Sequence, residues 1–206
     1  MRILACSTLA LLFLIVSVLH ADAEPVDPAG FVTVLVSDLV ATGASTDEVS
    51  PSTEALLATE ALLAAALDVE RISAGVLGRY RSTLGVEEIT RFQAALQRSF
   101  AGLIVQALAA FDDYELAIVS VREVKGRAQV TALMAPDSGG RYEAVFALAE
   151  DGDSWAAQNL TLNGVNLGLT YRNQFAALMQ ENGEDFDATL AAWQRELKTV
   201  VAASGG

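Results

Sequence analysis

Apolar residues recur along this chain with two different periods, and the change from one to the other falls near Glu115. Asp27-Pro28 sets a capping residue before a proline compatible with a first helical turn. Phe31, Val34, Leu35 and Leu39 then follow at helical spacing up to Gly43. Ala44 to Ser52 is rich in Ser, Thr, Asp and Pro and reads as a loop, with helix resuming near Pro51. Thr53 to Leu67 and Val69 to Ser82 predict two short helices, the second carrying Ile72, Val76 and Tyr80 on one face. Beyond Gly85, Glu87-Glu88 occupy a first turn, where carboxylates favour the helix dipole. Ile89, Phe92, Leu96, Phe100, Leu103 and Ala107 continue as a long apolar stripe ending near Phe111.

From Glu115 the period shortens to two. Leu116 to Val124, Arg127 to Ala135, Arg141 to Ala149 and Trp155 to Asn163 read as four strands, parted by turns at Lys125-Gly126, Asp137 to Gly140 and Asp151 to Asp153. Such short links imply an antiparallel meander. Val130, Ala132 and Met134 share one face of the second strand, Tyr142, Ala144, Phe146 and Leu148 one face of the third, and Leu160 and Leu162 one face of the fourth. Asn166 then caps a helix with Leu167, Tyr171, Phe175, Leu178 and Met179, which stops at Asn182-Gly183. A last helix carries Leu190, Trp193 and Leu197, and Ala202 to Gly206 form a tail. Helices, then strands, then helices predict an α+β fold, with helices packed on one face of a curved, roughly four-stranded antiparallel sheet that encloses an apolar pocket.

The segment before this domain changes the picture of where the chain works. Arg2, the apolar run Ile3 to Leu19 and Ala21-Asp22-Ala23 read as a secretory signal cleaved before Glu24; the run is short for a membrane span, which needs about 18 to 20 residues. Cys6 lies too early for a lipoprotein signal, because the apolar stretch follows it. Removing 23 of 206 residues leaves 183, one domain over residues 24–201. Cleavage takes one charge of each sign, leaving 12 Lys+Arg against 25 Asp+Glu and the net charge at −13. Phosphate backbones repel such a chain, so nucleic acid is excluded as a partner.

Cys6 and His20 are the only residues of their types, and both fall in the segment to be removed. The mature chain therefore has no disulfide, no metal site built on Cys or His, and no imidazole-activated nucleophile. The acidic clusters Glu87-Glu88, Asp112-Asp113, Asp151/Asp153 and Glu184/Asp185/Asp187 sit at helix ends and turns, where caps and solvated loops account for them. Asp151-Gly152-Asp153 is too short for a calcium loop. Gly75, Gly78, Gly85 and Gly102 lack the strand-to-helix setting of a nucleotide cradle. No catalytic residue, metal or cofactor is expected. The stripe Phe92, Phe100 and Leu103 is expected opposite Met134, Tyr142 and Phe146, where the pattern alone favours a closed core, although periodicity does not distinguish a filled core from a lined cavity.

Two blocks carry a resemblance. Asp68-Val-Glu-Arg-Ile-Ser-Ala-Gly-Val-Leu-Gly-Arg-Tyr-Arg81, followed by Phe92 to Phe100, resembles the helical centre of the MlaC (toluene tolerance) family of periplasmic lipid-binding proteins. Trp155, Asn159-Leu-Thr-Leu-Asn-Gly164-Val-Asn-Leu167 and Tyr171-Arg-Asn-Gln-Phe175 are similar to that family's Trp, Asp-Val-x-x-x-Gly-Val-Ser-Leu and Tyr-Arg-x-x-Phe block. Asn159 and Asn166 stand where the family usually has Asp and Ser, and the tyrosine common before Phe111 is missing. The likeness runs over roughly Asp27 to Leu197.

The resemblance implies a periplasmic carrier that shuttles a phospholipid between an outer-membrane lipoprotein complex and an inner-membrane MCE-type ABC transporter complex, without bond chemistry. Two acyl chains of about 16 carbons, at ~0.8 kcal/mol per methylene, cost on the order of 25 kcal/mol to desorb into water, so crossing an aqueous compartment requires a protein cavity. The expected lining is Phe92, Leu96, Phe100, Leu103, Val130, Ala132, Met134, Tyr142, Phe146, Leu160, Leu162, Tyr171 and Phe175, with Arg79, Arg81 or Arg172 available to a lipid phosphate at the mouth. A hopanoid or other polycyclic cargo is an alternative. An enzyme on an NTF2-like cone would need an inward carboxylate, whereas the strands offer Tyr142 inside and Glu143 on the opposite face. A closed-core structural partner of an envelope complex is the third reading.

Overall fold

The computed structural model describes residues 26–43, 52–108, 114–137 and 139–203. The expected signal segment, most of the loop after Gly43, the end of the long helix near Phe111 and the last tail residues lie outside them. Among the described residues the helices are α1 (Pro28–Gly43), α2 (Thr53–Ala66), α3 (Val69–Leu77), α4 (Val86–Leu108), α5 (Leu167–Glu181) and α6 (Phe186–Ala203). The strands are β1 (Tyr114–Val124), β2 (Arg127–Pro136), β3 (Tyr142–Asp151), β4 (Ser154–Leu162) and β5 (Val165–Asn166). Each helix start is written locally. Asp27, Ser52, Asp68, Asn166 and Asp185 each accept a hydrogen bond, through a side-chain oxygen, from the backbone N–H three residues on. For α4 the cap runs the other way, Glu88 reaching back 2.7 Å to the Gly85 N–H.

Three expectations shift. Val69 to Ser82 is not one helix: Gly78 adopts φ +54°, a left-handed conformation open to glycine, and a 3₁₀ turn over Gly78–Thr83 follows. Tyr80 still reaches the interior, at 4% exposure, from that turn. The sheet has a fifth strand, since Asn163-Gly164 turn with φ +47° and +81° and fold Val165 and Asn166 back onto Leu162 and Thr161. Helix α6 runs on through Ala202 to Ala203, where a tail was expected.

The strands lie in the order β1-β2-β3-β4-β5, all antiparallel, in an open sheet. Register breaks at Val119 in β1 and at Gln158 in β4 bend it. Cross-strand rows on the inner face run Val121–Val130–Phe146–Leu160 and Ile118–Ala132–Ala144–Leu162. The buried side chains of this face cluster with Val32, Val36 and Val40 of α1. Phe92 and Leu96 of α4 belong instead to a helical core with Val76, Phe175, Leu178 and Trp193. The expected opposition of Phe92 to Met134 and Phe146 is therefore corrected: α1, apolar on both flanks, packs on the sheet with its valines and on α2 and α4 with Leu35 and Leu39. Two long-range ties hold the layers together. Trp155 Nε1 donates to the Val26 carbonyl at 2.9 Å, and the α2–α3 junction docks on β4 where the Asp68 N–H meets the Ala157 carbonyl at 3.0 Å.

Candidate functional site

Exposure on the inner sheet face rises along β4. Ala157 is buried beside Leu148 at one end, Leu160 is half-buried beside Phe146, and Leu162 reaches 37% beyond Ala144. Ala132 and Ala144, directly opposite each other, keep the centre of the face low between the bulkier Val130–Phe146 and Met134–Tyr142 pairs. The helical layer shows a similar gradation: Phe92, Leu96 and Phe175 are fully buried, whereas Phe100, Leu103 and Tyr171 sit half-buried at the edge of the same core. The positions expected to line a cavity thus separate. Phe92, Leu96, Val130, Ala132, Met134, Phe146 and Phe175 are packed in cores; Phe100, Leu103, Tyr142, Leu160 and Tyr171 keep accessible surface; Leu162 is exposed. Glu143 is exposed, as the strand alternation requires.

A chain of rings joins the two conditions. Phe92 stacks on Trp193 with centroids 5.3 Å apart, Tyr171 meets Trp193 edge-on at 6.1 Å, and Phe100 leans on Tyr171 at 5.3 Å. Burial pushes the Tyr171 phenol up to about 12, because the anion would lose its hydration. In the unfolded chain the same group ionises near 10, so stability present below that pH is lost as pH rises toward 12, by roughly 2–3 kcal/mol. Chemical denaturation across this range is expected to fall more steeply for the parent than for Tyr171→Phe; equal slopes would mean that the phenol is hydrated.

A polar cleft of about 310 Å³ opens beside the edge of β4, with Arg71, Ile72, Gly75 and Val76 of α3 on one wall, Gln158 and Asn159 at the strand, and Asn166, Gly168, Leu169 and Arg172 on the other wall. Of the three arginines singled out from the sequence, only Arg172 faces it. Arg79 donates to the Tyr80 hydroxyl at 2.7 Å and Arg81 lies 3.7 Å from Glu70. Arg71 was not anticipated; its position one turn before Gly75 was the available signal.

With this geometry in place, the comparisons with known proteins are specific. Residues 36–195 match the model of the MlaC protein family. The chain belongs to the MlaC family. Toluene tolerance protein Ttg2D of Pseudomonas putida is 29% identical over 138 residues, which span 66% of this chain and 64% of that protein. A phospholipid-binding protein of Ralstonia solanacearum, solved in complex with a phospholipid, shares the fold with a TM-score of 0.71 at 19% identity, over 85% of this chain and 99% of that one.

The MlaC-like block does identifiable structural work here. Trp155 ties β4 to the segment before α1, and Asn159 and Asn166 both cap α5, accepting from the Gly168 N–H at 3.1 Å and the Leu169 N–H at 2.9 Å. Asn159 and Asn166 each supply a side-chain oxygen acceptor, as an Asp or Ser would. A Cβ on Gly168 would stand 2.6 Å from Asn159 Oδ1, so Gly168→Ala displaces that cap and is expected to destabilise, an intact cap being worth about 1–2 kcal/mol. In an Asn159→Ala background the obstacle is gone, and the same change is expected to stabilise by about 0.5–1 kcal/mol through helix propensity. Urea unfolding of the four proteins measures the reversal; the same sign in both backgrounds would refute the contact.

Proposed function

We propose that this MlaC-family chain is a periplasmic phospholipid carrier, exported by a cleaved signal over residues 1–23, that holds acyl chains between its sheet and helices and performs no bond chemistry. The observation that carries the reading is the set of large apolar side chains left half-buried at the margins of separate cores: Phe100, Leu103 and Tyr171 on the helical side, Tyr142 and Leu160 on the sheet. A closed interior would bury them; a site for flexible chains needs such surface and few polar groups. The cores behind them, with Phe92, Leu96 and Phe175 in one and Val130, Ala132, Met134 and Phe146 in the other, hold these walls in place, and Leu162 marks the open end. Tyr171 remains a neutral phenol at physiological pH and offers a hydrogen bond, not a base. The phospholipid-bound Ralstonia protein of the same fold supports a phospholipid over a hopanoid.

Loading and unloading then fall to an outer-membrane lipoprotein complex and an inner-membrane MCE-type transporter, and the charge of −13 favours docking on basic patches of both. The deciding experiment is native and denaturing mass spectrometry of the protein purified from the periplasm. Stoichiometric phospholipid is the expected result. Protein that is well folded and lipid-free after incubation with envelope lipids would sink the carrier reading, and a bound polycyclic lipid would redirect it to hopanoids.

A further inference from the structure

We propose that the cleft between α3 and α5 at the β4 edge binds a phosphate group, either as free phosphate or as a phosphodiester headgroup. Its lining brings Arg71 and Arg172 together on opposite walls and contains no carboxylate. The chain as a whole carries 26 Asp+Glu against 13 Lys+Arg. Among the described residues Arg81 and Arg91 have carboxylate partners at 3.7 Å and 2.7 Å, whereas the Arg71 and Arg172 guanidiniums, like those of several other arginines, form no ion pair. The carboxylates of the adjoining part of the cleft are already engaged. Asp68 accepts from the Arg71 N–H and from Gln158 Nε2, and Glu70 faces Arg81.

Missing side chains leave the α3 wall of the cleft open. Arg71, Gly75 and Gly78 follow at helical spacing on one face of α3 and its C-cap; a Cβ on Gly75 would meet nothing within 4 Å, and one on Gly78 would lie 3.1 Å from Arg172 Nε. Arg172 therefore rests at the C-terminal end of α3, where the helix carbonyls favour a cation. Donors complete the site. Because Asn159 Oδ1 and Asn166 Oδ1 are both committed to backbone N–H groups of α5, the orientation of each amide is set and each Nδ2 remains a donor. An aspartate at 159 would cap equally well but would cancel one positive charge, so asparagine there makes the cleft accept an anion. Two planar guanidiniums and two amide donors lining one cleft suit the several oxygens of a phosphate group.

Delipidated protein titrated with inorganic phosphate, glycerol 3-phosphate and glycerophosphoethanolamine, with chloride at matched ionic strength as the control, tests this through the side-chain N–H resonances of Arg and Asn. Saturable shifts are expected, weakened about tenfold or more by Arg172→Gln and by Asn159→Asp, the latter retaining the α5 cap and hence the melting temperature. Preference for the phosphodiester assigns the site to a lipid headgroup; preference for inorganic phosphate or the monoester assigns it to a free ligand. No saturable shift with any of the three, shifts that both variants leave unchanged, or binding of an acidic peptide alone would overturn the proposal. The site stands apart from the carrier reading, since bound lipid in protein that ignores phosphate sinks only the site, and phosphate binding by protein that never holds lipid sinks only the carrier.

Discussion

Trp193→Ala is expected to cost about 3–5 kcal/mol, the range for emptying a buried aromatic site, and to lower the melting temperature by about 10 °C in a domain of this size. Trp193 is fully buried where α4, α5 and α6 meet, stacked on Phe92 and edge-on to Phe175 and Tyr171, so its removal leaves a cavity that three helices would have to close together. Trp193→Phe separates packing from polarity. The indole Nε1 is buried without a hydrogen-bond partner among the described residues, and such an orphan donor costs about 1–3 kcal/mol. Phenylalanine removes that cost while keeping most of the ring, so a loss well below that of alanine is expected in urea unfolding. A Trp193→Ala protein within about 1 kcal/mol of the parent would show that the aromatic cluster does not hold the helices.

Leu160→Glu is expected to abolish cargo without abolishing the fold. Leu160 is half-buried on the inner sheet face, so a longer polar side chain can turn toward solvent at modest cost to the protein. An acyl chain laid against it must instead desolvate a carboxylate, a penalty of several kcal/mol. Co-purified lipid is expected to fall about tenfold or more, with an unfolding midpoint near that of the parent, whereas the isosteric Leu160→Met keeps its lipid. Phe146→Glu, one strand over, is a poorer test, because Phe146 is 8% exposed and a charge there attacks the core itself. Full lipid occupancy in Leu160→Glu would remove the outer part of the sheet from the lining.

Much of the fold was legible because its determinants are local. Caps at Asp27 and Asn166, the stop at Asn182-Gly183, the helical stripe from Ile89 and the period-two runs from Glu115 all act between residues a few positions apart. Alternation also placed Val130, Ala132 and Met134 on the buried face and Glu143 outside. The break at Gly78 and the short strand after Asn163-Gly164 were missed because each depends on a backbone conformation that glycine permits and its neighbourhood selects.

What a stripe meets, and how tightly, was decided only in three dimensions. Periodicity marks Phe92 and Phe100 alike as apolar, but the first closes against Phe175 and Trp193 while the second remains half-buried beside Tyr171. It marks α1 as amphipathic without telling that α1, and not α4, covers the buried sheet face. Nor does it bring Arg71 and Arg172 to one cleft, a pairing made by residues about a hundred positions apart. By itself, then, the sequence determined most of the elements and their apolar faces, the net negative charge and the resemblance to the MlaC family. The tertiary structure decided which apolar positions close into core, which stay accessible, and that Arg71 and Arg172 line one cleft, because these depend on contacts between distant segments that no local period encodes.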